Sequence, residues 1–490
     1  MAVNFKLQCV ECGSEYPPEP LYRKCIRCGG LLKVVYNYEN LRSRKDLIDK
    51  RFFSMWRYHK ILPISDLKNI ITLHEGWTPL LRSERLASSL GVSKLYLKDE
   101  TRNPSGSFLD RGVSVEVSKA IESGYKSLTC GTTGDLGASV SAYSARSGLK
   151  AYIFVPKKID VGKLYQMAIY NAEIYVVNSY EEALRRSEMM FLEAYVISTS
   201  NPWYLEGIKT VGYEIVEQMN FILPDHLVLS VGSGALLITI YKAIKELIDL
   251  GLTQDDTYPS FHAIQTEAVD PIVRAYEEKT DVVVPLKEIK DTIATDIAIS
   301  NPVHGKEVLR ILRETGGKAI SVSDSEILKA LAQLARQEGI LVEPAGATAL
   351  AGLRKLIDDG VILRGESVVL VLTGAGLKHP KAIRDTVSQA KDLGRLLSII
   401  GEQRPVSRLG ETKIRILQAV SEGNTYGYSI WKALREKYDL KIGLPTMYQH
   451  LKELEEMGLL SILSEEVKGG RKRVHYTLTE RGRKLVEEFS

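Results

Sequence analysis

Two rhythms of apolar and polar positions run through most of the chain. Short, nearly continuous apolar runs recur at Ala151-Tyr152-Ile153-Phe154-Val155-Pro156, Glu173-Ile174-Tyr175-Val176-Val177, Leu227-Val228-Leu229-Ser230-Val231, Phe261-His262-Ala263-Ile264-Gln265 and Val368-Val369-Leu370-Val371-Leu372. Each reads as a buried strand. Between them lie runs with helical spacing, roughly ten to fifteen residues long. Strands that alternate with helices predict parallel βαβ units and an α/β fold. Further strands are expected at 94–100, 127–130 and 319–322, the last entering a long helix capped by Ser323 or Asp324. Residues 38–65 read as a polar connecting helix.

Beyond about residue 388 the pattern changes. Helices are expected at 413–420, with Ile414, Leu417 and Val420 on one face; at 426–438, with Ile430, Leu434 and Tyr438; and at 445–457, with Tyr448, Leu451 and Leu454. Pro445 suits a first helical turn. A strand at 459–462, a Gly469-Gly470-Arg471-Lys472-Arg473 turn, a strand at 474–478 and a last helix from Thr479 complete a winged helix-turn-helix. The expected organisation is an N-terminal ribbon at 1–37, a connecting segment at 38–69 and a core at 70–387. A linker at 388–403 and the winged helix at 404–490 follow.

Composition narrows the classes. A chain of 490 residues, 44% hydrophobic and 26% charged, has the balance of a soluble globular protein of several domains. No run approaches the roughly 18 apolar residues of a membrane span. The N-terminal stretch lacks a signal peptide's basic start and apolar core, so a cytoplasmic location is expected. The net charge of +4 is too small to imply a nucleic-acid partner by itself. Residues 404–490, however, hold sixteen Lys/Arg against twelve Asp/Glu, an excess equal to that of the whole chain. The basic surplus is local.

Four of the five cysteines form Cys9-x2-Cys12 and Cys25-x2-Cys28, with Gly13 and Gly29 directly after the pairs. Thiolates at that spacing can close a tetrahedral Zn2+ site with no open position, which makes the metal structural. The alternative is four reduced, unligated thiols. Cys130 stands alone and reads as a buried strand-end residue.

The chemistry-bearing stretch is Asn103-Pro104-Ser105-Gly106-Ser107-Phe108-Leu109-Asp110-Arg111-Gly112, between a strand and a helix. Five further motifs keep it company: Gly76-Trp77-Thr78-Pro79-Leu80, Thr132-Thr133-Gly134-Asp135 running to Ala138-Ser139, Gly232-Ser233-Gly234-Ala235-Leu236, Gly339-Ile340-Leu341-Val342-Glu343-Pro344-Ala345, and Leu372-Thr373-Gly374-Ala375-Gly376. In this order they resemble the threonine synthase branch of the fold-type II pyridoxal-phosphate (PLP) enzymes over residues 70–385. The resemblance implies a core of two parallel-sheet domains, the smaller inserted in the larger at about 95–205. It also implies a PLP site at Ser107, Phe108, Asp135, the loop Gly232, Ser233, Gly234, Ala235 and Leu236, and Thr373, which matches the residue that bonds the pyridine nitrogen. Gly-rich loops at helix starts hold phosphates through backbone N–H groups; a ligand-free tight turn is the other reading. Similar N-terminal ribbons occur in some members.

Four cofactor-facing positions depart from the family. Leu109 stands where the family lysine forms the internal aldimine. Asp135 stands where an asparagine bonds the cofactor's 3′-oxygen; Asp135 also suits a helix N-cap. Ala235-Leu236 and Ala375 are the others. An isobutyl group can serve neither as Schiff-base partner nor as general base, so no catalytic residue is assigned. Lys98, Asp99, Lys163, Gln166, Lys209 and Asp296 match substrate-domain segments; solvated side chains are the plainer reading. The C-terminal segment resembles the PadR family of repressors. That implies a DNA partner and a homodimer, with Leu444, Thr446, Met447, Gln449 and His450 around the start of the recognition helix and Arg471, Lys472 and Arg473 on the wing. The expected function is a metabolite-responsive transcription regulator whose core has lost PLP catalysis and binds an amino acid or phosphorylated metabolite. Two readings stay open beside it: an active PLP-dependent threonine synthase or related β/γ-replacement lyase, and a non-catalytic protein-binding scaffold.

Overall fold

The computed structural model describes residues 4–19, 24–38, 43, 47–387, 410–440, 442–468 and 471–488. The expected linker at 388–403 lies outside them. Two compact units, residues 1–389 and 390–490, divide the chain.

The first unit holds three sheets. Strand Phe5–Cys9 pairs antiparallel with Glu15–Tyr16 and Leu32–Tyr36 in a small ribbon. A six-stranded sheet runs in the order Ala319–Val322, Ser260–Thr266, His226–Ser230, Ser367–Leu372, Lys94–Asp99, Leu80–Arg82. All its pairings are parallel except that of the edge strand Leu80–Arg82. The third sheet is fully parallel: Glu173–Val177, Lys150–Pro156, Ser127–Gly131, Tyr195–Val196. Ser367–Leu372 is buried at every position, which is why it reads as an uninterrupted apolar run. This is the α/β core that the alternation predicted, with the two sheets that the resemblance implies. The smaller domain was expected from about residue 95. Lys94–Asp99 instead pairs inside the larger sheet, and the smaller sheet starts at Ser127.

The expected polar connecting helix is not what residues 47–65 form. They make a seven-residue 3₁₀ segment, Met55–Ile61, whose Met55, Trp56, Arg57, Tyr58 and Ile61 are buried. Trp56 Nε1 donates to Glu75 and Ser114, and Tyr58 Oη to Glu217. Trp56 and Tyr58 thus turn their polar atoms to partners inside the core rather than to water. The ribbon is likewise tied down: Tyr36 Oη donates to Glu206 Oε2 at 2.8 Å, and Lys242 Nζ to the Val34 carbonyl at 2.7 Å.

In the second unit, helices Glu411–Ser421, Gly427–Glu436 and Leu444–Glu456 precede the hairpin Leu460–Lys468/Arg471–Leu478 and helix Glu480–Glu488. Ile416, Leu417, Val420, Ile430, Leu434, Met447, Leu451 and Leu454 form its core. The third helix turns differently from the expectation. Met447, Leu451 and Leu454, at i, i+4 and i+7, face inward, whereas Tyr448 is 47% exposed.

Candidate functional site

The 103–112 stretch is a loop held from both sides. Gly106 has φ +75°, and a Cβ there would come within 3.0 Å of Ala375 Cβ. Phe108 N donates to the Thr373 carbonyl at 3.0 Å and Ala375 N to the Gly106 carbonyl at 2.8 Å. Asp110 accepts from Ser105 N, Ser105 Oγ and Ser139 Oγ. Burial pushes its carboxyl up to about 6, against the pull of those hydrogen bonds. Arg111, fully buried, pairs with Glu100 at 2.7 Å and Glu214 at 2.6 Å. These anchors place Leu109 at the first turn of helix Leu109–Glu122.

Leu109 opens onto a cleft of about 110 Å³ at the carboxyl ends of strands from both parallel sheets. Of the residues expected from the sequence to face a ligand, Ser107, Phe108, Asp135, Gly232, Ser233, Gly234, Ala235, Leu236 and Thr373 line it, with Leu109, whereas Ala375 does not. Helix Ala235–Asp249 starts at this cleft with Gly234 as its N-cap, at φ +94° and without a side-chain cap. Its first-turn N–H groups thus form an anion-binding end.

The charged side chains of the lining are three carboxylates, Asp135, Asp296 and Glu343; among the described residues no Lys, Arg or His lines the cleft. The cations stand behind the acids. Lys163 Nζ lies 3.0 Å from Asp135 and also pairs with Asp296. Lys378 Nζ lies 2.7 Å from Asp135. His379 sits 3.0 Å from Asp296 and 3.4 Å from Asp160. Burial pulls the Asp135 carboxyl up, yet Lys163 and Lys378 hold it below its ordinary range. Burial likewise disfavours the His379 imidazolium, but Asp160 and Asp296 outweigh it and raise the group to about 11. Among the described lining residues four buried polar atoms have no hydrogen-bond partner: Ser230 Oγ, Tyr204 Oη, Glu343 Oε2 and Asp135 Oδ1, the last ion-paired with Lys163. Burial, with Asp135 and Asp296 nearby, pushes the Glu343 carboxyl up. Its other oxygen accepts from Thr373 Oγ1 at 3.2 Å.

The remaining matched lysines are not solvated. Lys98 pairs with Glu214 and Lys209 with Glu206, all four buried. Asp99 is buried and bonds Thr101 and Arg102; Gln166 Nε2 donates to the Ser105 carbonyl. Of the group, Asp296 alone lines the cleft. Glu343, Lys378 and His379 escaped the sequence reading. Their signal was chain proximity: Glu343 lies in a recognised motif, and Lys378-His379 follow Thr373 by five and six residues.

The residues fit a phosphate-bearing group at the Gly232–Leu236 end. They do not fit covalently held PLP, because no amine lines the cleft and the nearest lysines are committed to Asp135. Lys163 in particular is held charged by Asp135 and Asp296 despite its burial, and a charged ammonium is no nucleophile.

At the N-terminus, Cys9 and Cys28 Sγ lie 3.5 Å apart and Cys12 and Cys25 Sγ 3.6 Å apart, with all four sulfurs within 4.8 Å. Tetrahedral zinc with bonds of about 2.3 Å needs sulfurs roughly 3.8 Å apart. The four thiols fit the metal, and none forms a disulfide.

In the second unit Thr446 and Gln449 are exposed near the start of helix Leu444–Glu456. Gln449 Nε2 donates to Glu453, and His450 lies 3.3 Å from it. Leu444 is exposed, whereas Met447 is core and unavailable to a groove. Arg471, Lys472 and Arg473 open strand Arg471–Leu478, and the Arg473 guanidinium lies 5.2 Å from the Tyr426 ring centre. Among the described residues no helix is long and apolar enough to cross a membrane.

Residues 71–374 match the family model described as pyridoxal-phosphate dependent enzyme, and residues 416–488 that of the transcriptional regulator PadR-like family. Threonine synthase from Methanosarcina acetivorans is 40% identical over 389 residues, covering 79% of this chain and 95% of the relative. The Methanocaldococcus jannaschii threonine synthase is also 40% identical, over 381 residues, with 76% and 93% covered. Among solved structures, a fungal L-serine ammonia-lyase from Rhizomucor miehei superposes with a TM-score of 0.56 at 20% identity, covering 64% of this chain and 98% of that one. At that identity the likeness speaks for the fold.

Proposed function

The chain belongs to the pyridoxal-phosphate dependent enzymes, with threonine synthases as relatives and a PadR-like domain at its C-terminal end, and on that premise we propose that it is a ligand-responsive DNA-binding regulator whose core no longer catalyses. One observation carries this reading. The position expected to hold the cofactor's lysine is Leu109, and the charged side chains that line the cleft with it are carboxylates, the cations standing behind them. Transaldimination and α-proton abstraction both need an amine at that place. A core that keeps the cleft without the amine remains able to bind a metabolite. The winged helix supplies an output: exposed Thr446 and Gln449 at a helix start, and a basic hairpin, are suited to base edges and phosphates. A ligand controls that output only through unequal affinity for two arrangements of the protein, acting as a dimer on paired half-sites.

A second reading has its own support. Forty per cent identity over 389 residues, with Thr373 retained, favours a working threonine synthase that makes threonine from O-phosphohomoserine.

The test is the absorption spectrum of the purified full chain with added PLP, before and after borohydride reduction, with mass spectrometry of the product. It is paired with selection of genomic DNA fragments at several salt concentrations. The regulator predicts no reducible imine, no phosphate release from O-phosphohomoserine, and salt-dependent retention of specific fragments. A stable adduct on one lysine together with phosphate release would overturn it. Absence of both DNA binding and turnover would leave a protein-binding scaffold.

A further inference from the structure

A groove of about 530 Å³ on the larger domain shares no residue with the cleft. One wall is helix Asp324–Gln333 and the π-helical turn Leu334–Glu338 that continues it. Arg354, from helix Pro344–Asp358, and Thr386, from helix Pro380–Val387, complete the groove. Ser325, Lys329, Gln333 and Gln337 line it at a spacing of four. A uniform α-helix carries such a series about 40° further round with each step. The wider π-helical turn offsets that drift and keeps Arg336 and Gln337 on the groove.

The groove carries charge of one sign. Lys329, Arg336 and Arg354 line it with exposed side chains, and among the described residues no Asp or Glu does. The acids beside the stripe in sequence are committed elsewhere. Glu326 pairs with Lys355 and accepts from Ser323, Asp324 accepts from Thr292, and Glu338 accepts from Ser83. Arg354 has Asp358 one turn on, yet donates to the neutral Gln333 amide oxygen. Gln333 in turn donates to Gln337 and Ser89. A guanidinium oriented by an amide keeps its full charge and its other N–H donors for a ligand.

Three cations gathered without an anion repel one another, and an arriving anion relieves the repulsion. Arginine forks match phosphate oxygens bidentately. Leu328 and Ala332, half-buried, add an apolar surface to the groove. Its volume falls within the roughly 300–1,000 Å³ of small-molecule sites. The chain's own segment 388–409 follows helix Pro380–Val387, but it holds four Lys/Arg against two Asp/Glu. Its charge does not complement the groove.

We propose that this groove binds a nucleotide bearing two or more phosphates, with the phosphates on Lys329, Arg336 and Arg354 and the base against Leu328 and Ala332. The inference is independent of whether the core catalyses.

The experiment is isothermal titration of the full chain with ATP, ADP, AMP, adenosine and inorganic pyrophosphate at fixed salt. Amide hydrogen exchange of the wild-type chain with and without ATP accompanies it. ATP or ADP is expected to bind about tenfold or more tighter than AMP, and adenosine not at all. Exchange is expected to slow over residues 325–337. Arg336→Gln with Arg354→Gln, both exposed, should weaken ATP binding about tenfold or more while keeping the melting temperature. Pyrophosphate binding as tight as that of ADP would overturn the nucleotide assignment, since the base would then add nothing. The inference also falls if ATP does not bind, if the double variant keeps its affinity, or if protection appears at 232–236 instead of 325–337. A tenfold loss of duplex DNA affinity in the variant, with no ATP binding by the wild type, overturns it in favour of a DNA contact. Hydrogen exchange of the wild type decides even if the variant does not fold. The regulator and enzyme readings are decided separately, by the imine spectrum and turnover.

Discussion

Asp135 Oδ2 lies 2.7 Å from Lys378 Nζ, joining residues 243 positions apart across the cleft between the two parallel sheets. Asp135 opens the helix behind the smaller sheet, and Lys378 follows the last strand of the larger one. With Lys163–Asp296 and Asp160–His379, the pair makes the cleft wall a set of ion pairs that join the core's two halves.

Removing one member of a buried pair strands the other. Asp135→Ala leaves Lys378 and Lys163 each short of an anion and should destabilise the core by about 3–5 kcal/mol. Equilibrium urea unfolding, followed by core tryptophan fluorescence, measures it. A change below about 1 kcal/mol would mean that water replaces the carboxylate without difficulty.

His379 gives the core a pH dependence of known sign. Its folded value of about 11 lies above the ordinary 6.5. The stabilisation is therefore complete below about pH 6.5 and is lost as pH rises through 11. His379→Gln should cost most near neutrality, and the gap from wild type should narrow towards pH 11. A gap that is constant from pH 6 to 10 would show that the imidazolium is not stabilised.

Zinc removal should act beyond the ribbon. Strand Leu32–Tyr36 is both ribbon and lid over the Glu206–Lys242 pair. Elemental analysis should find one zinc per chain, lost in Cys9→Ser, and chelation should lower the melting temperature of the core transition as well. An unchanged core transition would make the ribbon an independent appendage.

For DNA, Arg471→Ala with Arg473→Ala should weaken binding across all sequences and reduce the slope of log K against log salt by about 2. Gln449→Ala should instead relax preference at one base position, at a cost of roughly 1–3 kcal/mol. Fluorescence anisotropy over a salt series separates the two effects.

The alternation of strands and helices, the four cysteine spacings and the Leu109 substitution were legible because each is local: periodicity, knuckle spacing and a motif position are written in consecutive residues. So was the winged helix, apart from its wing, where Arg471-Lys472-Arg473 open a strand rather than sit in the expected turn, and its third helix, where Met447 and Tyr448 are both apolar neighbours and only packing chooses which faces inward. The wall of the cleft was not legible. Asp135, Lys163, Asp296, Glu343 and His379 are far apart in the chain, and each alone looks like a solvated charge or a helix cap. Folding the two sheets together brings them to one place, with Asp135, Lys163, Glu343 and His379 buried and Asp296 half-buried. Burial forces charges to pair, and that pairing decides that acids, not amines, line the cleft.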